Sequence, residues 1–299
     1  MPVRTVIFGE IIENYTVDLS VIIVNYNSKL LIEECLVSVK KATAGIDHEI
    51  IVVDNNSTDG SKEHLPAKFN SVKFIFNKEN TGFAKACNKG FKNSSGKYIL
   101  FLNPDTLLSD TCLRDCISFF ETHPDAGAVG VRMTDGKQKF LKESKRGEPT
   151  PVASFYRLFG FASLFSGSKI FAKYYQGHLP EKEDNAVEIL SGAFMMVRRE
   201  VFEKVKGFDE DFFMYGEDID LSIRILRSGY RNYYLGTITI THLKGGSTIY
   251  DKKYIEAFYE AMNVFVKKHY AHAAGGKILV LKTGIAIRKS LAKLGLIFR

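Results

Sequence analysis

The chain has no tryptophan, only four cysteines and only seven prolines in 299 residues. Cys35, Cys87, Cys112 and Cys116 form no CxxC pair, which excludes a readable disulfide framework or zinc cluster. Cys112 and Cys116 stand four apart and would share a helix face, with no second ligand pair nearby. Reduced thiols in a cytoplasmic protein are therefore expected. Also missing is a run of about 20 uncharged apolar residues, so no segment is expected to span a bilayer. Arg4 is followed by only a short apolar run, which Glu10 and Glu13 interrupt, so no secretory leader is expected. Acidic side chains stop altogether at Glu260. Beyond it stand Lys267, Lys268, Lys277, Lys282, Arg288, Lys289, Lys293 and Arg299, which together exceed the chain's whole net charge of +7. The rest of the chain is close to neutral, which excludes a nucleic-acid-binding body.

What is present is an ordinary globular composition, 45% apolar and 25% charged, long enough to bury a substantial core. The first half alternates strand and helix patterns. LSVIIVN (19–25), EIIVVD (49–54), residues 72–76, KYILFL (97–102) and residues 126–131 read as strands. Between them, Leu30, Leu31, Cys35, Leu36 and Val39 recur at helical spacing after Ser28, a candidate cap, and residues 82–91 and 111–120 read as helices. This alternation predicts an α/β fold with a mostly parallel central sheet flanked by helices. Residues 134–186 lose the periodicity and read as a long insertion, with helical content around 154–165. Order returns with a strand over 188–197, a helix over 217–227, one or two strands over 233–242 and a helix over 251–270.

In an open α/β sheet, ligands bind beyond the carboxyl ends of the strands. Asn25, Asp54 and the Asn103-Pro104-Asp105 turn all fall at such ends. Any one of them would be ordinary turn chemistry; three together point to one shared crevice. Pro104 fixes the backbone between an amide and a carboxylate, a pair suited to a hard divalent cation that takes oxygen ligands and completes its shell with diphosphate and water.

The ordered segments VIIVNYNS, IIVVDNNSTDGS, NTGFAKACNKG, YILFLNPDT, SGAFMMVRREVFEKVKGFDEDFFMYGEDIDLSIRILRSGY and HLKGGS resemble family 2 inverting glycosyltransferases of the GT-A fold. Within that family they are similar to the rhamnosyltransferase-like branch that builds bacterial surface polysaccharides. The resemblance covers roughly residues 19–247. It implies a GT-A domain over 1–250, with a nucleotide-sugar half (19–132) and an acceptor half (133–250), and C-terminal helices over 251–299. It further implies that Asp54 accepts from the donor's pyrimidine, with Asn25, Asn80 and Gly82 lining the same pocket. Asn103 and Asp105 stand where many relatives carry DxD, so Asp105 is left as the principal metal carboxylate, with His242 as a further metal or diphosphate contact. The cation is Mg or Mn. Many relatives carry an Arg where this chain has Cys87. The donor is expected to be a dTDP- or UDP-sugar, with dTDP-rhamnose foremost, and the acceptor a saccharide or polyprenyl-linked saccharide.

Displacement at an anomeric carbon needs a group to take the acceptor hydroxyl's proton. Glu217, Asp218 and Asp220 crowd one helix start, where acidic residues also serve simply to offset the dipole. Asp218 matches the family's base and Glu217 an acceptor-positioning role. Asp220 lies about 200° around the helix from Asp218, so both cannot face substrate. Gly192, in Ser191-Gly192-Ala193, suits the donor-sugar pocket because small residues admit close approach. Phe208, Phe212, Phe213, Met214 and Tyr215 form an apolar cluster, most of which reads as core rather than a sugar platform. The stretch 137–146 reads either as an acceptor-phosphate contact or as a solvated face. Two alternatives to sugar transfer share such a sheet: a sugar nucleotidyltransferase and a non-catalytic nucleotide-sugar-binding protein.

The tail 277–299 is amphipathic. Its Lys and Arg residues fall within about 160° of a helical wheel, with Leu279, Val280, Ala286, Ile287, Leu291, Leu294, Ile297 and Phe298 largely opposite. That pattern fits a helix in an anionic membrane surface, at the inner face of the cell membrane, or one docked on the protein itself. Gly284 and Gly295 weaken the expectation of a continuous helix.

Overall fold

The structure is a computed structural model describing residues 3–7, 10–149, 173–243, 251–271 and 275–297. The helix expected around 154–165 and most of the HLKGGS segment lie outside these residues. The described strands are β1 (Val3–Ile7), β2 (Glu10–Asn14), β3 (Val17–Asn25), β4 (His48–Asp54), β5 (Lys73–Phe76), β6 (Gly96–Leu102), β7 (Thr106–Leu107), β8 (Ala126–Thr134), β9 (Asn185–Val187), β10 (Phe194–Arg198) and β11 (Arg231–His242). The described helices are α1 (Lys29–Ala42), α2 (Ser61–Lys68), α3 (Phe83–Lys92), α4 (Cys112–Thr122), α5 (Arg199–Lys204), α6 (Glu217–Arg227), α7 (Lys252–His269) and α8 (Gly275–Ile297).

Nine strands make the central sheet in the order β5-β4-β3-β6-β10-β8-β11-β7, with β9 paired to β11. Parallel pairing holds across β5-β4-β3-β6 and between β8 and β11. The sheet is mostly parallel, as expected: six of its nine strands run the same way, while β10 enters antiparallel between β6 and β8, and the short β7 and β9 add antiparallel edges to β11. The β1–β2 hairpin forms a separate two-stranded sheet.

Strand alternation splits the apolar residues between two faces. Leu19, Val21, Ile23, Tyr98, Leu100 and Leu102 pack with α1 and α4 on one face, while Ile22, Val24, Ile99 and Phe101 pack with α3, α5 and α6 on the other. The Leu30–Val39 periodicity works as expected, with Cys35, Leu36 and Val39 fully buried, though Leu30 itself is exposed. All four cysteines are buried free thiols. Burial pushes the Cys35 thiol up to about 12 and the Cys87 thiol well above its ordinary value.

Three local expectations change. Ser28 occupies the cap position of α1, but its hydroxyl donates to Tyr26 O, and Asp59 from the next loop accepts from Lys29 N instead (2.8 Å). The strand expected over 188–197 is shorter: β9 ends at Val187, β10 begins at Phe194, and the loop between carries Gly192. Residues 233–242 belong to one long strand, β11, with a register shift against β8 between Leu235 and Thr239.

This topology places the site. From β3 the chain steps outward to β4 and β5, then returns to the other side of β3 as β6, which creates a switch point between β3 and β6. Asn25 pairs in register with Asp54, and Asn103 directly follows β6.

Candidate active site

At the β3–β4 end, Asn25 and Asp54 are buried and bonded to each other. Asn25 Nδ2 donates to Asp54 Oδ2 (2.8 Å) and to Ser57 Oγ (3.1 Å), and Ser57 N donates to Asp54 Oδ1 (2.8 Å). Two of the roughly four acceptor positions of the Asp54 carboxylate are thus filled from among the described residues. Buried Asn25 Oδ1 has no partner among the described residues. Next to this pair, Asn55 Nδ2 donates to Gly82 O (3.0 Å), while Asn77 Nδ2 (2.7 Å) and Thr81 Oγ1 (3.2 Å) donate to Asn55 Oδ1. Asn80 Oδ1 accepts from Gly82 N (3.0 Å).

Gly82 is a glycine for a visible reason. Its φ is +83°, and a Cβ would lie 2.3 Å from Phe213 O. Phe83 N donates to that carbonyl (2.7 Å), so the pocket wall is locked to the loop that leads into α6. Cys87 is fully buried in the core under α3 and makes no wall of this pocket. The basic side chain that does reach the amide network is Lys89, whose Nζ donates to Asn77 Oδ1 (2.5 Å).

At the β6 end, Asn103 is half-buried and its N donates to Ala193 O (3.0 Å). Asp105 precedes β7, whose two residues pair antiparallel with the end of β11. That pairing brings His242 Nε2 to 3.2 Å from Asp105 Oδ1, with both side chains largely buried. The sequence could not place these residues together except through the family resemblance, because 137 positions separate them and β7 is only two residues long. The set fits a cation that arrives with its diphosphate. It offers one carboxylate and one imidazole, buried His242 Nδ1 has no partner, and no cluster of three or more His, Cys, Asp or Glu exists among the described residues to form a full protein cage.

The third group lies at the start of α6. Tyr215 (φ 67°) and Gly216 (φ 88°) are both left-handed, and this tight entry sets Glu217 and Asp218 in the first turn. Asp218 Oδ2 accepts from Arg146 Nη2 (2.5 Å) and Gly192 N (3.0 Å), and its Oδ1 accepts from Ile219 N (2.8 Å). Three of about four acceptor positions are filled, which leaves one on Oδ1. Gly192 touches the carboxylate, since a Cβ there would stand 3.3 Å from Asp218 Cβ. Residues 192 and 193 therefore bridge the Asn103 turn and the start of α6.

Arg146 corrects the reading of 137–146 as a solvated face. It pairs in a backbone bridge with Ile189, its Nη2 also donates to Leu190 O (2.7 Å), and its side chain is nearly buried. Burial opposes its charge, but Asp218 and Tyr174 beside it more than compensate and hold the guanidinium protonated. Lys145 next to it is also buried and donates to Gln176 O (2.9 Å) and to Leu179 O. No sequence signal separates these two from the exposed lysines around them.

Glu217 is buried, and its Oε2 has no partner among the described residues. Burial and the adjacent Asp218 push its carboxyl up to about 8. Asp220 points elsewhere, as the wheel requires. It bonds Arg224 (2.7 Å) and His269 of α7 (2.8 Å), and these partners outweigh burial to hold its carboxyl below the usual range. Phe208 and Phe212 are core, whereas Phe213 is 48% exposed. It helps line a cleft of about 640 Å³ between the 211–213 loop and α7, which also takes in Asp251, Glu256 and Glu260. None of the residues above except Phe213 lines that cleft.

The structure thus brings together polar strand ends at a switch point, a carboxylate beside an imidazole, and a held carboxylate at a helix start. The profile described as glycosyl transferase family 2 matches residues 20–206, and one described as the N-terminal domain of galactosyltransferase matches residues 180–252. The chain belongs to glycosyl transferase family 2. It is 26% identical over 267 residues to the N-acetylglucosaminyl-diphospho-decaprenol L-rhamnosyltransferase of Mycobacterium tuberculosis, covering 85% of each chain. It is 26% identical over 231 residues to the rhamnosyltransferase WbbL of Escherichia coli K12, covering 74% of this chain and 82% of that one. Among solved structures, it is similar to the mannosyltransferase PcManGT of Pyrobaculum calidifontis in complex with GDP-Man and Mn²⁺, with a TM-score of 0.56, 19% identity and coverage of 94% and 75%. It is also similar to S. aureus TarS (1–349) in complex with UDP-GlcNAc, with a TM-score of 0.56, 22% identity and coverage of 83% and 65%. The expected GT-A architecture and glycosyltransferase activity stand, and a sugar nucleotidyltransferase is set aside.

Proposed function

We propose that the chain transfers rhamnose, with inversion, from a dTDP- or UDP-linked donor to a hydroxyl of a polyprenyl-linked saccharide, at the inner face of the cell membrane. Residues 19–132 serve as the donor half and 133–250 as the acceptor half of a domain spanning 1–250. The single observation that carries the mechanism is Asp218. Its carboxylate is fixed on Oδ2 by Arg146 and Gly192 N, and it keeps an acceptor position on Oδ1.

In this reading Asp54, held by Asn25 and Ser57 N, accepts from the pyrimidine N–H, and Asn80 and Gly82 complete the wall. Asn103 reaches the donor beside Asp105. Asp105 and His242 would hold a Mg or Mn ion, which when bound offsets the charge gained by the leaving nucleoside diphosphate. Asp218 takes the proton as the acceptor hydroxyl attacks the anomeric carbon. Glu217 contacts the acceptor as a neutral acid at pH 7, because burial and Asp218 disfavour its charge.

A thermal-shift panel of dTDP- and UDP-sugars, each with and without Mn²⁺, tests the reading. The expected result is a rise of about 5 °C for dTDP-rhamnose at roughly 100 times its Kd, dependent on the cation. Indifference to every nucleotide sugar and to the cation contradicts it.

A further inference from the structure

Among the described residues, nine large apolar side chains are exposed, and four of them lie on α8. These are Leu279 (67% exposed), Ile287 (55%), Leu291 (54%) and Leu294 (50%). At about 100° per residue they fall within an arc of roughly 120°. They do not face the protein. The docked face of α8 is a different one: Ile278, Leu281, Ile285 and Ala292 pack against Ile255, Tyr259 and Val266 of α7. Lys289 and Lys293 fix that docking by pairing with Glu256 of α7 (2.5 Å from Lys293). On the wheel, the docked and exposed stripes are separated by roughly 165°. The helix thus has two apolar faces, and only one is covered.

The uncovered stripe is edged with positive charge. Lys282 runs along one side, next to Lys289 and Lys293 that pair with Glu256, and Arg288 along the other, and no acidic residue follows Glu260 in the sequence. A partner protein's apolar patch would not call for cations on both margins and a helix without a single acidic side chain of its own. A bilayer with anionic headgroups does, since aliphatic side chains enter the acyl boundary while Lys and Arg stay at headgroup level. No described helix is long and apolar enough to cross a membrane.

We propose that α8 lies flat on an anionic bilayer, with Leu279, Ile287, Leu291 and Leu294 inserted and Lys282 and Arg288 on the headgroups. At about 1.5 Å per residue, the helix gives a contact roughly 35 Å long. Its docking on α7, whose His269 bonds Asp220 of α6, couples this surface to the helix that carries Asp218. The inference deepens the reading of a membrane-borne acceptor. Its test uses lipid alone, so either can fail without the other.

The experiment is flotation of the purified full chain with extruded vesicles, either phosphatidylcholine alone or phosphatidylcholine with about 30% phosphatidylglycerol. The expected result is flotation with the anionic vesicles, little with the neutral ones, and weakening as salt rises. The triple variant Ile287→Gln, Leu291→Gln, Leu294→Gln should lower partition by at least about tenfold, with an unchanged circular dichroism spectrum. The double variant Lys282→Gln, Arg288→Gln should lose the preference for anionic lipid. Equal flotation of wild type and triple variant overturns the proposal. So does no flotation with either vesicle, including the case in which the same substitutions instead abolish a dimer seen by ultracentrifugation.

Discussion

The two sides of the crevice hold their polar groups in different ways. On the side proposed for the nucleotide, Asn25, Asp54, Asn55, Asn77, Asn80 and Thr81 bond mainly to one another and to backbone, and Asp54 is the one carboxylate buried in that mesh. On the side proposed for the chemistry, carboxylates meet basic side chains: Asp218 bonds Arg146, Asp220 bonds Arg224 and His269, and Asp105 lies beside His242. The first arrangement is a mesh of short-range hydrogen bonds that fix one another's geometry. The second is a balance of charge, in which moving one group changes the environment of the next. Recognition and chemistry should therefore separate under mutation: changes on the nucleotide side should act on donor KM, and changes around α6 on kcat.

The largest break in that comparison is Asp218→Asn. Loss of the base should lower turnover by about 100- to 10,000-fold, read as nucleoside diphosphate release at saturating donor, with donor affinity little changed. Arg146→Met comes next. It leaves Asp218 buried without its counter-charge, so urea unfolding should show a loss of about 3 kcal/mol. Adding Asp218→Asn should recover part of that loss, because the stranded charge is gone. Strict additivity of the two changes would show that the pair is not coupled.

Asp54→Ala sharpens the other side. Removing the acceptor for the pyrimidine should raise donor KM about tenfold or more at nearly constant kcat. A fall in kcat alone would erase the distinction between the two sides. The smallest effect concerns Glu217. Its carboxyl keeps a proton in the folded protein from about pH 4.5 up to about 8, where the unfolded chain has lost it. The resulting stability is full below pH 4.5 and is lost as pH rises through 8. Glu217→Gln removes that dependence, so its melting temperature should gain on wild type between pH 5 and pH 9. Parallel curves for the two proteins would contradict a protonated Glu217.

The same division governs what the sequence reveals. The side proposed for the nucleotide is legible because β3 and β4 carry apolar runs that end in Asn25 and Asp54, and Asn103 follows the apolar run of β6; a buried parallel strand has few other ways to look. The α6 start is legible as an acidic cluster, and the wheel correctly separates Asp220 from Asp218. Arg146 is not legible. It sits among exposed lysines, and what makes it special is a bridge to Ile189 from 43 residues away. The strand expected over 188–197 fails for a related reason, since an apolar stretch says nothing about the turn at 188–193 that lets Gly192 reach Asp218. The tail is half legible: its amphipathic pattern is plain, but that α7 covers one apolar face and leaves a second open follows only from packing.

The claim on which all of this turns is that Asp218 serves the chemical step and not donor binding. Donor titration by calorimetry with Mn²⁺ and nucleoside diphosphate release, measured on wild type and Asp218→Asn, tests it directly. The account predicts a Kd within a fewfold of wild type and turnover reduced by at least about 100-fold. Wild-type turnover in the variant, or donor affinity lost in step with turnover, would contradict it.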